Sequence, residues 1–203
     1  MIIHVLRHAE SVANSQEILA GQLDYPLSEK GKEDARCIAT QYRKQYSPQI
    51  AYCSPLLRAR QTAEPFLIDQ NIPLMIDQRL IEQDIGMFSG MTYRAAEADS
   101  RYETDRAKRW QWRPPHGESY EDIAKRITSF FNSLDQSYDC CILFTHAVTM
   151  RILKGVLEHT LPLYPQEIAR NGEIWECKFL GLGKEHQITS ILFDDLTYDS
   201  HKA

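Results

Sequence analysis

Two apolar runs of this chain end in a histidine: Ile2 to Leu6 leads into Arg7-His8, and Cys140 to Phe144 leads into Thr145-His146. A third, Ile50 to Cys53, leads through Ser54 to Arg58. Short apolar runs of this kind read as buried strands, and ligands of open α/β sheets bind outside the carboxyl ends of their strands. With the three strands side by side, Arg7, His8, Arg58 and His146 converge at one end of the sheet. Two guanidiniums and two imidazoles in one cleft repel each other unless an anion sits among them. A phosphoryl group suits them best, because the planar donor fork of arginine matches its oxygens. A single strand-end histidine or helix-start arginine has an ordinary structural reading; the force lies in the conjunction.

The elements that must position these residues follow from the apolar pattern. Ser28 reads as the cap of a helix in which Ala35, Ile38, Ala39 and Tyr42 recur at helical spacing. A second helix starts at about Leu56, with Pro65 expected to end or kink it. Leu74 to Ile76 is a short strand. Residues 91–115 differ from the rest, being charged, aromatic and rich in arginine, and read as a helical excursion over one end of the sheet, closed by Pro114-Pro115-His116-Gly117. Ser119, with Asp122 in the reciprocal position, caps a helix whose apolar face is Ile123, Ile127, Phe130, Phe131 and Leu134. A helix through Met150 to Leu157 follows, then strands at about Ile174 to Leu180 and Ile188 to Phe193 joined by a Gly-rich turn. Strands alternating with helices predict a three-layer α/β/α sandwich with a mostly parallel central sheet. One domain over residues 1–203, without repeats or linkers, is expected.

Bulk composition narrows the partners. With 43% hydrophobic and 25% charged residues and a net charge of −5, the chain has the make-up of a soluble globular protein with no general attraction for nucleic acid or anionic membrane. A positive field for an anionic substrate must therefore be local. The five cysteines are odd in number, lack CxxC spacing, and include the adjacent pair Cys140-Cys141, so they read as reduced, buried small residues rather than as disulfides or zinc ligands. No run approaches membrane-spanning length and the N-terminal apolar stretch is too short for a signal peptide, so a cytoplasmic location is expected. No carboxylate cluster has Mg²⁺-ligand spacing, so neither metal nor cofactor is expected.

The ordered motifs resemble those of the histidine phosphatase superfamily, which includes cofactor-dependent phosphoglycerate mutases and many small phosphatases. They are Arg7-His8-Ala9-Glu10-Ser11 with Asn14, Asp24-Tyr25-Pro26-Leu27-Ser28-Glu29-Lys30-Gly31, and Ser54-Pro55-Leu56-Leu57-Arg58-Ala59-Arg60-Gln61-Thr62-Ala63. Leu80 to Gly90, Gly117-Glu118-Ser119 and Thr145-His146-Ala147 complete the set, which spans about residues 1–155. The resemblance implies that His8 is the nucleophile forming a phosphohistidine. Arg7, Asn14, Arg58, His146 and Ala147 would hold the phosphoryl oxygens. Glu82 would be the general acid for the leaving alkoxide and then the base for water, which calls for a partly dry site. Gln22, Arg94 and Arg113 are the expected substrate contacts. The family usually has glycine after each active-site histidine, where this chain has Ala9 and Ala147; each adds a methyl beside the pocket.

Within the resemblance, mutases carry Arg after the acidic Glu, Tyr just before the next Gly, and a paired arginine in the excursion. Here Gln83, Ile85 and Arg109-Trp110 stand instead, and Asp84 resembles the phosphatase form. Metal-independent hydrolysis of small phosphomonoesters is the expected activity, with a phosphoglycerate mutase and a non-catalytic phosphate-binding protein as alternatives. The expected partner is a small phosphorylated substrate, with a homodimer left open.

Overall fold

The computed structural model describes residues 1–191 and 193. Six strands form one sheet in the order β3-β2-β4-β1-β5-β6: β1 Ile2–Arg7, β2 Ile50–Cys53, β3 Leu74–Ile76, β4 Cys140–Thr145, β5 Ile174–Lys178 and β6 Ile188–Ile191. The pairs β1–β4, β2–β4 and β2–β3 are parallel, while β5 runs antiparallel to both β1 and β6. The sheet is mostly parallel, as expected. The last expected strand stops at Ile191, and residue 192 of that expectation lies outside the described residues.

Alternation along the strands divides the core between two faces of the sheet. Ile3, Val5, Cys141, Leu143, Trp175 and Cys177 pack with α5 (Tyr120–Asn132) and α6 (Ala147–Leu157). Leu6, Ala51, Cys53, Ile142, Phe144 and Ile174 pack with α2 (Glu29–Arg43) and α3 (Leu57–Leu67). Both faces are covered, which is why these strands read as continuous apolar runs rather than alternating ones. The α2 stripe buries Ala35, Ile38, Ala39 and Tyr42, and Ser28 caps it by accepting from the Gly31 N–H. α5 begins in the expected capping box between Ser119 and Asp122.

Pro65 lies in the last turn of α3, which ends two residues on at Leu67, and Arg43 donates to the Pro65 carbonyl at 2.8 Å. One local expectation needs correction. The excursion is only partly helical: α4 (Tyr93–Glu97) and a 3₁₀ turn at Arg106–Lys108 are its regular elements. Asp99 and Asp105 accept from backbone N–H groups two residues on, at 2.9 Å each, and such local bonds compete with a continuing helix. The excursion closes instead over a small satellite core of Ile85, Phe88 and Ala96, covered by Tyr102 and Trp112. α1 (Val12–Ser15) is a single turn after β1.

Candidate active site at the carboxyl ends of the strands

β4 lies between β1 and β2, so the three strand ends singled out by their polar residues are neighbours. Arg7 is in register with Thr145, and Cys53 with Phe144. The residue after each strand continues the pattern: His8 N–H donates to Thr145 O and Ser54 N–H to Phe144 O, both at 3.0 Å. The His8 and His146 rings then stand with centroids 5.1 Å apart, tilted by 58°. Arg7, His8, Arg58 and His146 are all at most 5% exposed.

The two guanidiniums are held by carbonyls. Arg58 donates to Gly21 O at 2.7 Å and Leu23 O at 2.8 Å, and Arg7 to Ala169 O at 2.6 Å. Neither forms an ion pair among the described residues, and Arg7 Nε is buried without a hydrogen-bond partner. Carbonyl dipoles orient these cations, and although Glu82 acts on both through space, with Asp24 on Arg58 and Glu173 on Arg7, no carboxylate of the described residues lies within ion-pair distance, so a bound anion would be strongly favoured. The histidines feel that field. Burial, followed by repulsion from Arg58 and Arg7, holds His8 well below its ordinary pKa of 6.5, against a weaker raising effect of the Ala9 carbonyl. Burial and then Arg58 and His8 hold His146 well below it too. His8 Nδ1 lies 2.7 Å from the Ala9 carbonyl, which can only accept. Nδ1 therefore carries the ring proton, and Nε2 keeps its unshared pair.

Asn14 sits in the α1 turn with its Oδ1 accepting from Ser11 N–H, Ser11 Oγ and Asn171 Nδ2 at 3.1, 2.8 and 3.2 Å. That fixes the amide and leaves its NH₂ as the group available to a ligand. Glu82 follows the 3₁₀ turn Gln78–Leu80 and reaches the head of α6. Its carboxylate accepts from the N–H groups of Gln83 (2.9 Å), Thr149 (3.2 Å) and Val148 (3.3 Å). Helix starts leave such donors unmet. With Val148 and Thr149 engaged, the N–H of Ala147, the first residue of α6, has no hydrogen-bond partner among the described residues. Gln22 lies beside Glu82, its Nε2 donating to the Glu82 carbonyl at 3.0 Å.

The other two expected substrate contacts are placed differently. Arg113 is drawn to the head of α5, pairing with Asp122 at 2.5 Å and donating to Gly117 O at 3.0 Å. Arg94 is an exposed residue of α4. From the same excursion it is Tyr93 that lies within electrostatic reach of Arg7, Glu82 and Arg109. Sequence reasoning passed over Tyr93, Thr62 and Asn171. Thr62 Oγ1 accepts from Ala9 N–H at 3.0 Å, and Asn171 Nδ2 donates to His8 O at 3.0 Å. Thr62 had a signal, lying one helical turn beyond Arg58. Asn171, far along the chain from the motifs, had none.

The motif glycines are close approaches of backbone. A Cβ on Gly31 would meet Glu10 O at 2.0 Å, and one on Gly86, at φ +55°, would meet Pro115 O at 2.0 Å. Among the described residues no three His, Cys, Asp or Glu side chains are gathered as metal ligands. No described helix is long and apolar enough to cross a membrane.

The model of the histidine phosphatase superfamily (branch 1) matches residues 3–181. This chain belongs to the histidine phosphatase superfamily. It is 30% identical to 2,3-bisphosphoglycerate-dependent phosphoglycerate mutase 2 of Gloeobacter violaceus, over 92% of this chain and 86% of that one. It is 31% identical to phosphoserine phosphatase 1 of Hydrogenobacter thermophilus, over 73% of this chain and 72% of that one. The fold is shared with a crystal structure described as a putative alpha-ribazole-5'-P phosphatase from Escherichia coli, at a TM-score of 0.83 and 21% identity, covering 98% and 99% of the two chains.

Proposed function

We propose that this member of the superfamily hydrolyses small phosphomonoesters by passing the phosphoryl group through Nε2 of His8. One observation carries the reading: a neutral imidazole with an unshared pair on Nε2 stands 5.1 Å from a second imidazole, beside two buried arginines without ion-pair partners among the described residues. A bound phosphoryl group supplies the missing negative charge. Arg7 and Arg58 hold its oxygens, joined by His146, the Asn14 amide and the Ala147 N–H. Such preorganised donors are typically worth ~3–4 kcal/mol each toward the transition state.

In the first half-reaction His8 Nε2 forms the N–P bond as the P–O ester bond breaks, and Glu82 delivers a proton to the departing oxygen. In the second, water forms a P–O bond as N–P breaks, Glu82 takes the water's proton, and inorganic phosphate leaves. The charge on the path is met by the chain's own arginines. The five free cysteines suit a reducing compartment, and the cytoplasm is the proposed location.

Hydrolysis is favoured over mutase transfer by three positions. Gln83 is 1% exposed and donates to Glu118 O at 3.0 Å, so it is turned into the structure. Ile85 packs in the satellite core, and Trp110 packs against the main core where a paired arginine would otherwise stand. The test is hydrolysis of p-nitrophenyl phosphate in excess EDTA, with trapping of an acid-labile, alkali-stable phosphoenzyme. Hydrolysis without any such phosphoenzyme, or with an acid-stable one, would sink the reading. Phosphoglycerate interconversion stimulated by a bisphosphorylated primer would move the chain to the mutases.

A further inference from the structure

The reaction asks opposite things of the two buried imidazoles. His8 must offer an unshared pair to phosphorus, whereas His146 must offer a proton to a phosphoryl oxygen. A neutral imidazole has one of each, and the partner of one nitrogen decides what the other presents.

The partner of His146 is Ser54. His146 Nε2 lies 2.7 Å from Ser54 Oγ, and a hydroxyl can either donate or accept. The surroundings of Ser54 decide the matter. Its Oγ already accepts the Leu56 N–H at 3.3 Å, the residue is fully buried, and His146 Nε2 is the one acceptor within reach of its O–H among the described residues. His146 Nδ1 has no partner among the described residues in either tautomer, so were the ring to donate from Nε2, the buried Ser54 O–H would become a second unmet group, at a further cost of ~1–3 kcal/mol. The hydroxyl therefore donates to Nε2, and the ring proton sits on Nδ1. That atom is buried and has no hydrogen-bond partner among the described residues, in a ring facing His8.

We propose that Ser54 is a positioning residue that fixes His146 as the Nδ1–H tautomer, so that this ring donates to the transferring phosphoryl group while His8 presents an unshared pair. The surrounding segment gives the proposal its economy. Ser54, Arg58 and Thr62 are spaced four residues apart, and each serves the same centre. Ser54 sets His146, and Arg58 brings a buried cation. Thr62 gives its proton to Arg58 O at 2.7 Å and accepts the Ala9 N–H, steadying the backbone that holds His8. The strand-to-helix segment β2–α3 thus supports both imidazoles, His146 through its ring and His8 through its backbone.

The assignment rests on the proposed roles of His8 and His146, but the tautomer can be read without turnover. Long-range proton–nitrogen NMR spectra of ¹⁵N-histidine-labelled protein, at mildly alkaline pH, should show His146 protonated at Nδ1 and bare at Nε2. A proton on Nε2 overturns the proposal whether or not any ester is hydrolysed. In kinetics, Ser54→Ala should lower kcat ~10–100-fold with KM nearly unchanged, as loss of an orienting partner typically does. Ser54→Thr, which keeps the hydroxyl, should recover most of the rate. A folded Ser54→Ala protein with wild-type kcat also overturns it.

Discussion

Cationic side chains occur in two settings in this molecule, at the strand ends and in the excursion between residues 91 and 115. At the strand ends Arg7 and Arg58 are buried and held by backbone carbonyls alone. In the excursion three of the cations pair with nearby carboxylates: Arg101 with Asp99 at 2.6 Å, Lys108 with Asp105 at 3.6 Å, and Arg113 with Asp122 at 2.5 Å. Exposed pairs of that kind contribute little and are screened by salt. Arg109 stands between the two settings, lying over Tyr102 at 4.6 Å and Trp112 at 5.0 Å. A guanidinium neutralised by its own chain is spent, whereas one steadied by carbonyls keeps its full charge for a ligand. Burial and choice of partner, rather than residue type, separate the two groups.

That contrast can be broken most severely at the proposed nucleophile. His8→Ala should cost at least ~10⁴-fold in turnover and abolish the trapped phosphoenzyme, as removal of an enzyme's nucleophile does; wild-type rates would end the proposed mechanism. Arg58→Ala comes next, with a loss of ~10²–10³-fold in kcat/KM. Because Arg58 is, after burial, the largest cause of the depressed His8 pKa, the acid limb of the rate profile should also move to higher pH, and a limb that stays put would count against the field described here.

Glu82→Gln should slow alkyl phosphates by ~10²-fold and p-nitrophenyl phosphate much less, since a good leaving group needs little help from an acid. Equal slowing of both substrates would remove Glu82 from the role of acid. Smaller still is the response of stability to pH. The folded-state values of His8 and His146 lie below 6.5, so below that pH the unfolded chain takes up protons that the folded chain refuses. Tm should therefore fall as pH drops through 6.5, and saturating vanadate should reduce the fall. A Tm that rises on acidification would contradict the assignment of two buried neutral rings. At the far end of the scale, Arg101→Ala should change kcat/KM by less than ~2-fold and leave Tm unchanged within error.

Much of this was legible without coordinates where the physics is local. The strand ends at Arg7-His8 and Thr145-His146 show as apolar runs meeting polar pairs, and the caps at Ser28 and Ser119 show as short-range hydrogen-bonding patterns. The excursion misled, because its Asx turns at Asp99 and Asp105 interrupt a composition that otherwise suits a helix. Arg113 was named without its partner in view: it pairs with Asp122, which is there for its own helix-capping purpose. Asn171 escaped notice because nothing in its neighbourhood along the chain connects it with His8.

Taken alone, then, the order of residues determines the strands and helices, the family, and which side chains are chemically able to handle a phosphoryl group. These are encoded in short-range periodicity and in motifs a few residues long. Only the tertiary structure decided that β4 inserts between β1 and β2, that Arg7 and Arg58 meet carbonyls instead of carboxylates, and which nitrogen of each imidazole is free. The physical reason is that charge and proton position depend on partners brought from distant parts of the chain. Those partners exist only once the sheet has closed.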